Sequence, residues 1–325
     1  MDSTLILSNF LNPPILFFFL GMVACWVGSD LEIPQPLPKL FSLYLLLAIG
    51  FKGGVELSKS GLTTQVAGTL GAALLLAVIV PGWTFFLLRR KMDINNAAAV
   101  AATYGSVSAV TFIAATSFLN SLTIPYGGHL VAAMALMESP AIIVGIALAR
   151  WLGKAQGTPF SWPHLLRDAF ANGSVLVLCG ALVIGVLTGE NGGEALAPFT
   201  SGLFQGALCL FLLDMGLASA RRLASIRQLG AFPVLFATLV PLVNAALGML
   251  LAYWLGLGQG DALLLVVLAA SASYIAVPAA MRLAIPAANP GIYVTMALAL
   301  TFPFNIVFGL PIYLGVINFF WNQAL

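Results

Sequence analysis

Ser106-Val107-Ser108-Ala109-Val110-Thr111-Phe112-Ile113-Ala114-Ala115 and Ser271-Ala272-Ser273-Tyr274-Ile275-Ala276-Val277-Pro278-Ala279-Ala280 are two versions of one phrase, 165 residues apart. Each places a Ser-x-Ser inside an apolar run. Gly105 precedes the first, and Pro278 in the second removes a backbone donor near the carbonyl of Tyr274. Gly, Ser and Pro at these densities interrupt a helix rather than continue it. Working outward, Gly50 and Leu57 pair with Gly216 and Leu223; after a small deletion Ile124-Pro125 pairs with Ile285-Pro286, and Pro140 with Pro303. Each match alone is weak, but their order along the chain is preserved.

The solvent around this phrase is lipid. Only 7% of the 325 residues are charged and 61% are hydrophobic, which leaves a soluble domain too few groups to offer water. Residues 283–325 contain no Asp, Glu, Lys or Arg, and runs such as 72–83 are apolar at every position. That pattern excludes the alternation of a membrane-spanning β-barrel. Breaks at charges, Pro and Gly predict spans near 13–29, 37–51, 64–88, 96–118 and 127–150, then 173–190, 198–217, 231–256, 261–280 and 290–318. The second is short enough to be tilted, broken or extended into its polar flank. Residues 14–29 read as a retained first span, not a signal peptide, for want of a basic start and a small-residue cleavage site.

Ten spans sort the cations. One side collects Lys39, Arg89, Arg90, Lys91, Arg150, Lys154, Arg167, Arg221, Arg222, Arg227 and Arg282, eleven of thirteen; the other holds Lys52 and Lys59. The positive-inside rule then puts both termini on the non-cytoplasmic side. The expected organisation is a first repeat over residues 1–150 (spans one to five), a cytoplasmic connecting loop over 151–171, and a second repeat over 172–325 (spans six to ten). Five is odd, so the second half inserts upside down relative to the first. The fold class expected is an all-α membrane protein of about ten transmembrane helices in two inverted five-helix repeats, with helices four and nine discontinuous. That plan recurs in secondary transporters, which bind substrate and ion near the midplane.

Ser106 and Ser271 each lie ten residues into their spans, or about 15 Å, near mid-membrane. Thr103, Tyr104, Gly105, Ser106, Ser108 and Thr111 crowd one span, and Ser271, Ser273, Tyr274 and Pro278 the other. Carbonyls freed by a break suit a sodium ion, and N–H groups and hydroxyls at a half-helix N-terminus suit a small anion. The bland reading is that Ser and Gly let spans pack closely. Paired clusters at matched depth favour a binding site.

Glu138 sits near the centre of the fifth span, where an unpartnered carboxylate costs at least about 2.5 kcal/mol, so it faces the interior. It reads as a coordinator of a cation or proton, or as a hydrogen-bonded structural Glu. Asn305, two residues past Pro303, is its candidate counterpart in the last span, though packing explains it as well. Asp214 is expected to pair near Arg221 and Arg222, Asp261 to cap the ninth span, and Arg282 to anchor topology. His129 and His164 are not expected in a buried constellation. Cys25, Cys179 and Cys209 fall in apolar segments without CxxC spacing and read as packing residues. No HExxH or GxSxG occurs and Gly105-Ser106 has no evident base, which argues against an enzyme. No basic stretch suggests a nucleic-acid partner.

These segments resemble the sodium-dependent bicarbonate transporters first recognised in cyanobacteria, and their wider bacterial family. The resemblance rests on Gly105-Ser-Val-Ser-Ala-Val-Thr111, Met137-Glu-Ser-Pro-Ala141, Ser271-Ala-Ser273 and, most specifically, Arg282-Leu-Ala-Ile-Pro-Ala-Ala-Asn-Pro290 followed by Tyr293. It implies crossing fourth and ninth helices, core and gate subdomains, a homotrimer in the bacterial inner membrane, and sodium-driven uptake of bicarbonate with no cofactor beyond the coupling ion. Carried over residue by residue, Gly105, Ser106, Ser108 and Thr111 line one side of the substrate site, with Ser271, Ser273 and Tyr274 opposite. Thr103, Ser108, Glu138, Ser273 and Asn305 are the candidates for the coupling ion. Two departures stand out. Tyr274 replaces a family Asp, so sodium binding or anion choice can differ, while Glu138 replaces another and keeps the charge on a longer arm. The long charged loop of cyanobacterial members is absent, so regulation by a nitrogen-regulator-type partner does not carry over. A carrier of a different anion, driven by sodium or protons, and a non-transporting receptor or scaffold remain the alternatives.

Overall fold

The computed structural model describes residues 7, 9–34, 36–61, 63–153, 173–226 and 229–322, and among them every regular element is helical. Most of the 151–171 connection therefore lies outside the described residues. In chain order the helices are α1 (Pro13–Trp26), α2 (Pro36–Ser60), α3 (Thr64–Leu88), α4 (Ile94–Gly105), α5 (Ala109–Ser121) and α6 (His129–Leu152). Then come α7 (Gly173–Ala197), α8 (Phe204–Ile226), α9 (Ala231–Trp254), α10 (Gln259–Ala270), α11 (Ala276–Ala284) and α12 (Pro290–Trp321). With α4 and α5 counted as one interrupted span and α10 and α11 as another, the twelve segments make ten. Seven described stretches are long and apolar enough to cross a membrane, one of them holding both α7 and α8. The chain is a multi-pass membrane protein.

The ends follow local chemistry. Pro13 and Pro14 open α1, where a missing N–H has no partner to lose. Asp93 opens α4 by accepting from the backbone N–H groups of Asn95 (3.1 Å) and Asn96 (3.0 Å). Layering follows exposure. Leu74, Leu75, Val78 and Ile79 on α3, and Leu235, Leu239 and Val243 on α9, lie outward where lipid is expected. The interrupted spans form the centre: residues 97–105 and 262–270 are buried without exception.

Small residues bring the backbones together where no hydrophobic force distinguishes helix from lipid. A β-carbon at Gly54 of α2 would lie 2.0 Å from the Leu182 carbonyl oxygen of α7, and one at Gly185 of α7 would lie 2.2 Å from that of Phe51. The same device joins α1 to α8, with Gly21 against the Leu213 carbonyl and Gly216 against that of Phe18.

The second span takes the extended form among those expected of it, running nine residues beyond 51 into its polar flank, where the Lys59 ammonium lies 3.5 Å from Glu56 and 3.4 Å from Glu190 of α7. The structure departs from the sequence reading at two helices and two side chains. The sixth span continues to Ala197 through a kink at Gly189, whose φ of 56° suits glycine. The last is wound partly as π-helix, over Met296–Thr301 and Asn305–Gly309. Asp261 does not cap α10, whose N-cap is Gly258; its carboxylate accepts from the Gly127 N–H at 2.6 Å instead. His129, not expected in a buried constellation, is buried, with Nε2 3.8 Å from Asp261. Gly260 draws these groups together by packing on the Pro125 carbonyl.

Replacing Asp261 by Ala orphans the Gly127 N–H at a cost of about 1–3 kcal/mol. At about 2–4 °C per kcal/mol the melting temperature in detergent is expected to fall by roughly 3–10 °C. Asp261→Asn, which keeps an acceptor, is expected to lose less.

Candidate functional site

The two interruptions are built alike. After α4, Ser106 turns extended (φ −87°, ψ −178°) while its N–H still reaches the Ala102 carbonyl at 3.0 Å. After α10, Ser271 does the same (φ −80°, ψ 168°), bonded to Val267 at 2.9 Å. Gly105 is required at the first break, since a β-carbon there would meet the Pro81 ring at 2.4 Å. The chain resumes as α5, capped by Ser108 Oγ accepting from the Thr111 N–H at 3.2 Å. On the other side Ser273 Oγ accepts a longer bond (3.4 Å) from the Val277 N–H of α11.

Each break also holds the other. The Ser273 N–H donates to the Thr103 carbonyl at 2.8 Å, and the Ser108 N–H donates to Ser271 Oγ at 3.0 Å. Ser271 Oγ in turn donates to the Leu268 carbonyl at 3.2 Å. Backbone groups freed from helical bonding are thus paired across the chain, as buried polar groups must be.

Beside this junction lies a cavity of about 30 Å³, room for one or two water-sized particles. Ser108, Ala109 and Val110 at the N-terminal end of α5, and Ser273, Tyr274 and Ala276 at that of α11, form one part of its wall. Met134 and Glu138 of α6, with Ser42 of α2 and Ser174 of α7, complete it. Two positive helix ends and one half-buried carboxylate therefore face the same small volume. The Tyr274 ring packs edge-on against Phe302 at 5.4 Å, and its hydroxyl, within reach of Ser108, completes no hydrogen bond.

Of the residues singled out in the sequence, Ser108, Ser273, Tyr274 and Glu138 line the cavity. Ser106 stands behind it, its hydroxyl 3.4 Å from the Glu138 carbonyl. Thr103, Gly105 and Ser271 build the junction, and Thr111 forms the first turn of α5. Asn305 is placed elsewhere: its amide donates to the Ala270 carbonyl at 2.9 Å and its oxygen accepts from Tyr313 at 2.8 Å, sealing the end of α10. Ser42 and Ser174 were not foreseen, because single serines in spans carry no pattern. Nor was Thr301, which bonds Tyr104 at 2.6 Å and the Ala237 carbonyl at 2.7 Å.

Among the described residues no group of three or more His, Cys, Asp and Glu side chains converges on a metal-sized point. The oxygen-bearing side chains at the cavity are hydroxyls and one carboxylate, groups suited to sodium or a proton.

Interrupted spans meeting at a polar cavity inside an all-helical, multi-pass protein define the class of membrane carriers built on broken helices. Within that class the chain belongs to the Na+-dependent bicarbonate transporter superfamily, whose family model matches residues 13–318. Comparison with curated proteins finds no match.

Proposed function

We propose that the protein is a sodium-coupled symporter of a small anion, bicarbonate first, working by alternating access in a bacterial inner membrane. The carrying observation is the shared cavity: the N-termini of α5 and α11 favour an anion where Glu138, when ionised, brings a negative charge. Two unit charges about 6 Å apart repel by about 3 kcal/mol at an effective dielectric of about 20. A cation between them reverses the sign, so anion and ion bind well only together. Ser108, Ser273 and Glu138 contribute oxygens to the ion, joined by the carbonyl of Thr103. Tyr274, Gly105, Ser106, Thr111 and Ser271 shape or line the anion's side, and Asn305 steadies α10 from behind.

The two halves, 1–150 and 172–325, are read as inverted repeats with crossing interrupted helices. The matched conformations of Ser106 and Ser271 support this, as do the close packings of α1 on α8 and α2 on α7, which exchange under a swap of halves. Movement of one subdomain against the other then exposes the cavity to either face. Both termini on the non-cytoplasmic side and a homotrimer complete the reading.

A second reading has a specific observation behind it. The Tyr274 hydroxyl stands without a bonded partner at the cavity, where the related transporters carry an Asp, and a donor there suits a different oxyanion or a proton-coupled cycle. Uptake of labelled bicarbonate into proteoliposomes tests both. A sodium gradient is expected to raise initial uptake at least tenfold over a matched pH gradient. If only the pH gradient drives uptake, the coupling ion is the proton; if neither does, the anion is another.

A further inference from the structure

A second hollow, of about 240 Å³, lies against the same helices as the first. On α2, Ser42 and Leu46 face the small cavity, while Ile49, Lys52 and Gly53 face the larger hollow. From Ser42 to Lys52 is ten residues, about 15 Å along the helix. On α6 the same file runs from Glu138 and Met134 to Val131. Leu46, Ile49, Met134 and Val131, all buried, separate the two spaces as an apolar plug.

The hollow's wall carries a cation of unusual standing. Lys52 is half-buried one turn inside Glu56, and its ammonium lies 6.0 Å from the centre of the Phe204 ring. Among the described residues no direct ion pair holds it, though the Glu56 carboxylate, which also lines the hollow, attracts it from a distance. The nearby carboxylate of Glu56 lies 3.5 Å from Lys59, which also meets Glu190, and all three are well exposed, so salt screens them. Lys52 sits deeper, where screening is weaker. Asn120 and Tyr126 add an amide and a hydroxyl across the space.

We infer that this hollow is an outer vestibule with its own anion subsite, in which Lys52, with Asn120 and Tyr126, collects a small oxyanion or carboxylate before it passes the Leu46–Met134 plug. The assignment rests on the anion-carrier reading above for what lies beyond the plug, but the subsite itself is separately testable. A charge recruiting substrate in a low-dielectric hollow raises local concentration without touching the later step. Lys52→Gln is therefore expected to raise the KM for bicarbonate 5–10-fold, with kcat and the sodium dependence within twofold of the parent and with Lys52→Arg close to it.

A second arm needs no transport. With Cys25, Cys179 and Cys209 replaced by Ala and folding checked by melting, Ile124→Cys, at the wall of the hollow but outside the proposed subsite, is treated with anionic and cationic methanethiosulfonates. The anionic reagent is expected to react 5–10-fold faster, and Lys52→Gln is expected to abolish that preference. Equal rates with Lys52 present, or a thiol that neither reagent reaches, overturn the subsite; so does an unchanged KM in a transporting Lys52→Gln protein. A charge preference without bicarbonate flux leaves the subsite standing and overturns the choice of bicarbonate.

Discussion

The double variant Ser108→Gly, Ser273→Gly is expected to lose sodium-dependent anion uptake by at least about 100-fold while remaining folded. Both residues line the cavity; Ser108 is the N-cap of α5 and accepts from Thr111, while Ser273, two residues before the N-cap of α11, accepts a longer bond from Val277. A hydroxyl bonded to a charged group is worth about 1.5–3 kcal/mol, so losing two from a bound ion removes about 3–6 kcal/mol, more than a hundredfold in affinity. Glycine at an N-cap costs only a few tenths of a kcal/mol, whereas alanine costs about 1. The glycine pair therefore separates ligation from folding, and the alanine pair is expected to lose uptake and some melting temperature together. Uptake within threefold of the parent, in protein that melts normally, would remove both serines from the ion site.

A larger effect on stability is expected from Gly54→Val. The first atom of any side chain there would lie 2.0 Å from the Leu182 carbonyl oxygen, inside a contact distance that real β-carbons avoid. The obstacle is backbone, so α2 and α7 must separate, and among the described residues no other pair of helices packs more extensively. Overpacking of this kind costs about 3 kcal/mol or more, which at 2–4 °C per kcal/mol is a melting temperature lower by roughly 10 °C. Gly180→Ala, also on α7 but with open space around its β-carbon, is the matched control and is expected to melt like the parent. Thermal unfolding in detergent, followed by loss of monodisperse protein, measures both.

The positions of the spans were legible because apolar runs of about twenty residues have one use, and the breaks because Gly105, Pro278 and the paired serines each weaken a helix for a nameable reason. The length of α2 was legible only as one of three options, with tilting and breaking beside it. Lys52, Glu56 and Lys59 look like loop residues in one dimension, and only Glu190, far along the chain, and a hollow beside Lys52 make them helical neighbours. The π turns of α12 had no sequence signal of their own. At the site, Ser108, Ser273, Tyr274 and Glu138 could be found as polar residues at matched depth in apolar surroundings. Asn305 was found for its polarity, but its partner is the main-chain carbonyl of Ala270, which a list of side chains does not contain. Asp261 was misplaced for the same reason: its partner is the N–H of Gly127.

The exchange of hydrogen bonds between the two breaks bears on how the chain is made. During synthesis the Thr103 carbonyl and the Ser108 N–H enter the bilayer before the residues that satisfy them, Ser273 and Ser271, have left the ribosome. An unmet backbone group in hydrocarbon costs several kcal/mol, so the fourth span cannot settle into its broken form until the ninth arrives. Nascent chains cut short before residue 271 are therefore expected to be degraded faster than chains that include it, which a pulse-chase measurement checks.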